Sequence, residues 1–314
     1  MPQSQLLTLV TNRYDIYLSA LNKKINVIFS DFDPDDYPKK EYSAIVYRIS
    51  KEKALTHHLI NQAAQLLEKK GTLVISGYKQ EGIKTYSDKI KKTLKASGKL
   101  EKTGVSYIGK FSSLDSDQTL DDKNYTTIQK VKAETLPQGY FFSKPGVFGW
   151  NKIDKGSELL IASAQSLLEE KVISPKNVLD LGCGYGWIFL NMEKYAISSI
   201  TATDNNAAAI LSAEENTKLT TTPLNIIASN CADSIKEKFD LILCNPPFHQ
   251  GFKHNQELTG RFLHACKDKL SKQGTALFVL NEFIAIDNHI KKEKLKQKIL
   301  TKKLGFKVVI IEHK

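Results

Sequence analysis

No apolar run in the 314-residue sequence reaches the roughly twenty residues that cross a membrane. The start, MPQSQLLTLVTNRYD, also lacks the basic stretch and apolar core of a secretion signal. A soluble, cytoplasmic protein is expected. Cysteine is scarce: Cys183, Cys231, Cys244 and Cys266 are the four, and no two form a CxxC pair. That excludes a disulfide scaffold and leaves no zinc-ligand spacing, so reduced thiols and no metal are expected. His57 and His58 are adjacent on a helical stretch and point different ways, which does not make a ligand pair. Acidic charge is short as well, with 34 Asp and Glu against 45 Lys and Arg, a formal balance of +11. Such an excess favours a polyanionic partner.

The first half alternates strands with helices. Residues 24–30 (KINVIFS) and 43–49 (SAIVYRI) predict strands on either side of an acidic, proline-containing turn. In residues 50–70, Leu55, Leu59, Ala63, Leu66 and Leu67 recur at helical spacing between a Ser50 cap and Gly71. A strand at 72–76, a helix at 83–96 and a strand at 105–111 follow. LEKKGTLVIS at 67–76 parallels LSKQGTALFV at 270–279, each after an amphipathic helix, which predicts the duplication of one α/β unit. Nothing in residues 1–130 matches the glycine turn of the second half, and Tyr47 and Arg48 occupy the position of its later NPPF tetrad. The polar stretch 114–124 (LDSDQTLDDKN) suits a linker. Two domains are expected, at 1–134 and 135–314.

Residues 178–189 (VLDLGCGYGWIF) have the order of a buried strand, a tight turn and a helix start. Asp180 precedes the turn, and Gly182, Gly184 and Gly186 let a ligand lie against backbone N–H groups. A dinucleotide fingerprint wants Gly or Ala at its sixth position, where Trp187 stands. Upstream, the helix at 154–168 carries Gly156 and Ser157 at its start. The aromatic segment 136–149 (LPQGYFFSKPGVFG), with Phe148, either plugs the domain junction or folds over a ligand. Downstream, the strand at 199–204 ends in Asp204, where a carboxylate of a doubly wound sheet reaches a ribose diol. The strand at 224–228 leads to Asn230, whose amide suits a purine edge, and the strand at 240–245 delivers Asn245, Pro246, Pro247 and Phe248.

The spacing DxGxGxG, with Asp204 and NPPF beyond it, resembles the S-adenosylmethionine-dependent methyltransferases. More narrowly, PGVFGWNKIDKGSELL, VLDLGCGYG, ASN at 228–230 and NPPFHQG at 245–251 resemble the bacterial ribosomal RNA guanine-N2 methyltransferases of the small-subunit RsmC type and their large-subunit relatives. The likeness is close over 136–283 and looser over the first half, where that family carries a duplicated, cofactor-less domain. It implies an α/β fold: a Rossmann-like class I methyltransferase sheet, with a degenerate duplicate as the N-terminal domain. It implies S-adenosylmethionine held by Asp180, Gly182, Gly184, Asp204 and Asn230, with Phe148, Gly156 and Ser157 as further contacts. It implies a target base held by Asn245, Pro246, Pro247 and Phe248. The chemistry is coherent: Asn245 Oδ1 and the Pro246 carbonyl can accept the two hydrogens of an exocyclic amine, prolines remove competing donors, and Phe248 can stack on the base.

A guanine N2 in ribosomal RNA, most simply the 16S RNA of the small subunit, is the substrate this resemblance implies, as naked RNA or in a partly assembled subunit. A 23S guanine, adenine N6 or a glutamine amide are the other nitrogens such a site can serve. A monomer without membrane contact is expected. His249 and Gln250 extend the NPPF loop; Arg261 and the lysines of 290–303 suit phosphate contact, although a solvated helix face explains that run as well. The family's final strand has no counterpart after GFKVVIIEHK. Either the sheet lacks that strand or an earlier segment replaces it, and the shortfall motivates a second reading, a catalytically silent RNA-binding assembly factor.

Overall fold

The computed structural model describes residues 7–36, 42–247 and 252–314. The expected base-stacking Phe248, with His249 and Gln250, lies outside them. Contacts divide the chain into one unit of residues 1–31 with 128–314 and a second unit of residues 32–127.

The larger unit opens with β1 (Thr8–Thr11), α1 (Tyr14–Asn22) and β2 (Asn26–Phe29), a parallel βαβ step. The second unit holds β3 (Tyr42–Arg48), α2 (Lys53–Leu66), β4 (Leu67–Tyr78), α3 (Ile83–Thr93), β5 (Ser97–Thr103) and β6 (Ser106–Ser112). The larger unit resumes with β7 (Gln129–Lys132), β8 (Tyr140–Ser143), α4 (Lys155–Glu169), β9 (Asn177–Leu181), α5 (Trp187–Met192), β10 (Ser199–Asp204), α6 (Ala207–Thr217) and β11 (Leu224–Ala228). It ends with β12 (Phe239–Cys244), α7 (Phe252–Lys269), β13 (Leu270–Asn281), α8 (Asp287–Lys292), β14 (Leu295–Lys303) and β15 (Phe306–His313).

Its main sheet has seven strands in the order β11-β10-β9-β12-β13-β15-β14, parallel up to β13 and antiparallel beyond. This is a doubly wound, Rossmann-like α/β sheet, and the order reverses between β9 and β12. Ligands of such sheets sit at the carboxyl ends of the strands beside that switch point. The central strands are apolar because helices cover both faces: Val178 to Leu181 and Leu241 to Cys244 are all buried. In α6 the alanines Ala207, Ala208, Ala209 and Ala213 are buried, and their small size lets the helix lie close to the sheet.

Of the two expectations for the final strand, the second holds: an earlier segment supplies it. The lysine-rich run that suggested a solvated helix face forms α8 and β14, and β14 pairs with β15 from Leu295↔His313 to Lys303↔Phe306. GFKVVIIEH is therefore itself the hairpin's second strand, inserted between β13 and β14. Lysines along an edge strand block further pairing, which accounts for their density in β14. The missing-strand argument for a catalytically silent protein falls with this correction.

The second unit repeats half of that sheet. Its order β3-β4-β6-β5, with β3 parallel to β4 and the rest antiparallel, matches β12-β13-β15-β14 strand for strand. Both parallel pairs begin with an aromatic opposite a leucine (Tyr42↔Leu67, Phe239↔Leu270), slip, and resume at Ala44↔Thr72 and Leu241↔Thr275. The slip falls at the two aligned glycines. A Cβ on Gly71 would stand 2.9 Å from the Tyr42 carbonyl, and one on Gly274 2.8 Å from that of Phe239. The parallel between LEKKGTLVIS and LSKQGTALFV is thus one backbone bulge used twice. By that register Arg48 stands where β12 presents Asn245. Its guanidinium pairs with Glu81 at 2.7 Å and lies 5.1 Å over the Tyr78 ring, so donors replace the acceptors of the tetrad.

The contacts do not part at the expected 134/135 boundary, for a physical reason. Tyr14 N donates to Asn205 O at 2.8 Å and Ala207 N to Asn12 O at 2.9 Å, bracketing a bridge between Arg13 and Asn206. Asp31 and Lys144 add an ion pair of 2.5 Å, their side chains 1% and 3% exposed. Residues 7–31 therefore fold with the catalytic-looking half. His57 and His58 sit in the second unit with ordinary polar partners: His57 Nδ1 lies 2.6 Å from Asp121 O and His58 Nδ1 3.1 Å from Asp122. Burial and the nearby Lys89 hold the His57 pKa down, against the pull of the Asp121 carbonyl.

Candidate active site

β9, β10, β11 and β12 end on one edge of the sheet, and each contributes to it. At the end of β9, Gly182, Gly184 and Gly186 have φ of +83°, +57° and +96°. An L side chain in that region costs on the order of 1–2 kcal/mol. The three glycines differ in what surrounds them. A Cβ on Gly186 would meet the Phe189 ring at 2.1 Å, whereas one on Gly184 would meet only Val147 Cγ1, at 4.0 Å. Gly186 serves packing; Gly184 leaves open space over the turn among the described residues, which is where a ligand would lie.

Beneath that turn is Asp180, wholly buried and with neither carboxylate oxygen in a regular hydrogen bond. Burial pushes its pKa up to about 8, helped by the charge of Asp204 and opposed by the Phe189 N–H. A carboxylate without a partner in such a place is costly unless a cation offsets it. Asp204, at the end of β10, is only half-buried by its neighbours. Its Oδ2 accepts from Gly184 N at 2.9 Å and its Oδ1 from Asn206 N at 2.9 Å. Desolvation raises its pKa, and these backbone bonds pull it back. Asp204 makes the space above the turn electronegative, and a cationic ligand with a ribose diol fits it: the diol at Asp204, and a cation near Asp180 that would favour its ionised form.

The segment after β8 lines the same space. Asn206 Nδ2 donates to Gly146 O at 3.1 Å and Tyr185 OH to Lys152 O at 3.2 Å, holding 146–152 over the turn. Val147 is buried against it and Phe148 is 58% exposed. At the end of β11, Ser229 N donates to Asp204 O at 2.9 Å, bringing Asn230 to the end of β10. The next two residues, Cys231 and Ala232, have φ of +55° and +56° and turn the chain sharply there. Arg261, a phosphate candidate from the sequence, instead donates to Asn230 Oδ1. A guanidinium can only donate, so Asn230 turns its Nδ2 the other way, as a donor suited to a ring nitrogen.

β12 delivers the tetrad. Cys244 pairs with Leu181, so Asn245 emerges level with Gly182, one strand away. Asn245 Nδ2 donates to Asp154 Oδ2 and to Ser157 Oγ, each at 2.8 Å. Asp154 is the N-cap of α4 and also accepts from Ser157 N at 2.9 Å. Both amide hydrogens are therefore engaged, and no described residue bonds Oδ1. Pro246 is buried and Pro247 exposed. Gly156 and Ser157, expected beside the cofactor, stand against Asp154 and Asn245. Asp154 was missed in the sequence, where it only opens the helix at 154–168. So was the clasp from the N-terminal segment: Asp15 N donates to Asn205 Oδ1 at 2.8 Å and Asn205 Nδ2 to Asp15 Oδ1 at 3.0 Å, bracing the residue after Asp204. Among the described residues no three His, Cys, Asp or Glu could hold a metal ion.

Comparison with known proteins bears on the family and the fold. A family model described as the methyltransferase small domain matches residues 138–310, and one described as its N-terminal domain matches 2–107. Curated relatives named ribosomal RNA small subunit methyltransferase C include that of Marinomonas sp. (strain MWYL1), 28% identical over 78% of this chain and 69% of its own length. That of Hahella chejuensis is 26% identical over 85% of this chain and 77% of its own length. A solved T. thermophilus 16S rRNA N2 guanine methyltransferase (RsmC), in complex with AdoMet and guanosine, superposes with a TM-score of 0.82 at 18% identity, covering 98% of this chain and 82% of that one. That likeness establishes the shared fold.

Proposed function

The chain belongs to the methyltransferase small-domain family, and from that premise we propose that it transfers a methyl group from S-adenosylmethionine to the exocyclic N2 amine of a guanine in ribosomal RNA of the small subunit. One observation carries the reading. Asn245 leaves β12 level with the glycine turn of β9, with its NH2 end engaged and its oxygen turned away. An amine acceptor is thus held one strand from a cradle for a nucleoside cofactor.

The bound cofactor supplies an electrophilic methyl group on a cationic sulfur. Gly184 would leave room for it, Asp204 would accept from its ribose, Asn230 would donate to its adenine ring, and Asp204 together with Asp180, ionised by the cation, would offset its positive charge. Phe148 and Val147 shield it from water. On the other side, Asn245 Oδ1 and the Pro246 carbonyl accept the two amine hydrogens. Holding both turns the nitrogen lone pair out of conjugation with the ring and aims it at the methyl carbon. No base is needed before transfer, since the amine sheds a proton to water afterwards. A guanine stacked in a helix hides its amine, so the base must be turned out to reach Asn245. The net charge of +11 suits a polyanionic substrate. The second unit, with Arg48 in place of the asparagine, takes RNA recognition as its role.

Incubation with labelled S-adenosylmethionine and small-subunit RNA or particles tests the assignment. Transfer should require Asn245: Asn245→Ala should lose at least about a hundredfold in turnover while keeping cofactor affinity. Undiminished turnover would remove Asn245 from the mechanism.

A further inference from the structure

An asparagine can present either end of its amide, and only the oxygen end serves the proposed chemistry. What decides between them is Asp154. A carboxylate has no hydrogen to donate, so only the NH2 of Asn245 can face Asp154 Oδ2 at 2.8 Å. A flipped amide would set oxygen against carboxylate. The carboxylate is itself fixed by Ser157 N at 2.9 Å. Gly156 keeps the space for it, because a Cβ there would stand 3.0 Å from Asp154 Oδ2 and 3.2 Å from the Phe306 ring. The DKGS sequence at the start of α4 therefore builds a holder for one amide, 91 residues away in the chain.

Resting on the guanine-N2 reading above, we propose that Asp154 is a positioning residue for methyl transfer. It locks the Asn245 amide with Oδ1 toward the target amine and, through the charged hydrogen bond, raises the electron density on that oxygen. The amine nitrogen donates its pair to the methyl carbon, the methyl–sulfur pair stays with sulfur, and one amine proton leaves to water. Positive charge develops on the nitrogen as the bond forms, and its N–H bond to Oδ1 strengthens at that point. Coupled hydrogen bonds polarise one another, so a carboxylate at the far end of the amide stabilises that charge more than a neutral group does. Ser157 Oγ takes the second amide hydrogen, and because a hydroxyl can donate or accept, the orientation is set by Asp154 alone.

Four variants test this. Asp154→Asn retains an N-cap of equal quality and an oxygen for both donors but removes the charge. Turnover should fall about three- to tenfold, with cofactor Kd and thermal midpoint unchanged. Asp154→Ala frees the amide to flip, and turnover should fall about ten- to a hundredfold, the range for a hydrogen bond to a charged group. Asn245→Asp sets two carboxylates face to face and should be nearly inactive. Adding Asp154→Asn to it removes one of the two facing charges while keeping an oxygen for Ser157 N, so the double variant should recover at least about tenfold over Asn245→Asp alone. A purely structural cap would give no such rescue. A double variant no better than Asn245→Asp, or Asp154→Ala with wild-type kcat, would overturn the proposal. A wild-type protein that methylates no guanine would instead overturn the reading on which it rests.

Discussion

Asp180 gives the most quantitative prediction. Its folded pKa is about 8 against an ordinary 3.8, with burial as the main cause. Between those values the folded state keeps a proton that the unfolded chain has lost. Folding stability therefore decreases as pH rises through the window, by about 1.4 kcal/mol per unit. From pH 5 to about 7.5 the loss amounts to about 3 kcal/mol. Asp180→Asn removes the titration and replaces it by a constant cost of about 1–3 kcal/mol for a buried amide without partners. The offset between wild type and variant is thus less informative than its slope. Chemical denaturation of both proteins at half-unit pH steps measures it, and other titrating groups cancel in the difference. In thermal scans the wild type should lose about 3–5 °C per pH unit relative to the variant. Saturating S-adenosylmethionine should flatten the slope, because a cation beside Asp180 favours its charged form. A stability difference that stays constant from pH 5 to 7.5 would refute the account of Asp180 as a buried, unpaired acid.

Further consequences concern the turn and its braces. Gly184→Ala should cost the fold only about 1–2 kcal/mol but weaken cofactor binding at least about tenfold, whereas Gly186→Ala, with a Cβ 2.1 Å from Phe189, should impair folding itself; calorimetric binding and unfolding midpoints separate the two. Lys144→Ala leaves Asp31 buried without its cation and should lower stability by about 3–5 kcal/mol, read by denaturant unfolding, while Lys144→Ala with Asp31→Asn should restore part of it. Asp15→Ala should loosen Asn205 beside Asp204 and weaken cofactor affinity severalfold with little change in midpoint; an unaltered Kd would detach the N-terminal segment from the site.

The parts legible in the sequence are those set by local rules. The strand, glycine turn and helix of 178–189 follow from apolar runs and positive-φ glycines, and the duplication shows because Gly71 and Gly274 fill the same bulge. β14 was hidden for the same kind of reason. Its burial does not alternate cleanly, and a register shift between Ile299 and Thr301 breaks its period, so the lysines dominate the pattern. Asp154 shows only half of its work locally: capping α4 is visible four residues at a time, but its bond to Asn245 joins residues from two distant elements. The clasp of Asn12 to Asp15 on Asn205 to Ala207 is likewise long-range, which is why residues 7–31 group with the second half. Asn230 was expected to present an amide, and which end it presents depends on Arg261, which lies on α7.

The identity of the methylated nucleoside bears most directly on the central claim. Ribosomal RNA from cells with and without this protein can be digested and its nucleosides separated, and the modified position mapped by primer extension or mass spectrometry. A single N2-methylguanosine in 16S RNA, lost without the protein and restored by the wild type but not by Asn245→Ala, is the predicted result. Unchanged N2-methylguanosine, with N6-methyladenosine or a protein-bound methyl group disappearing instead, would contradict it.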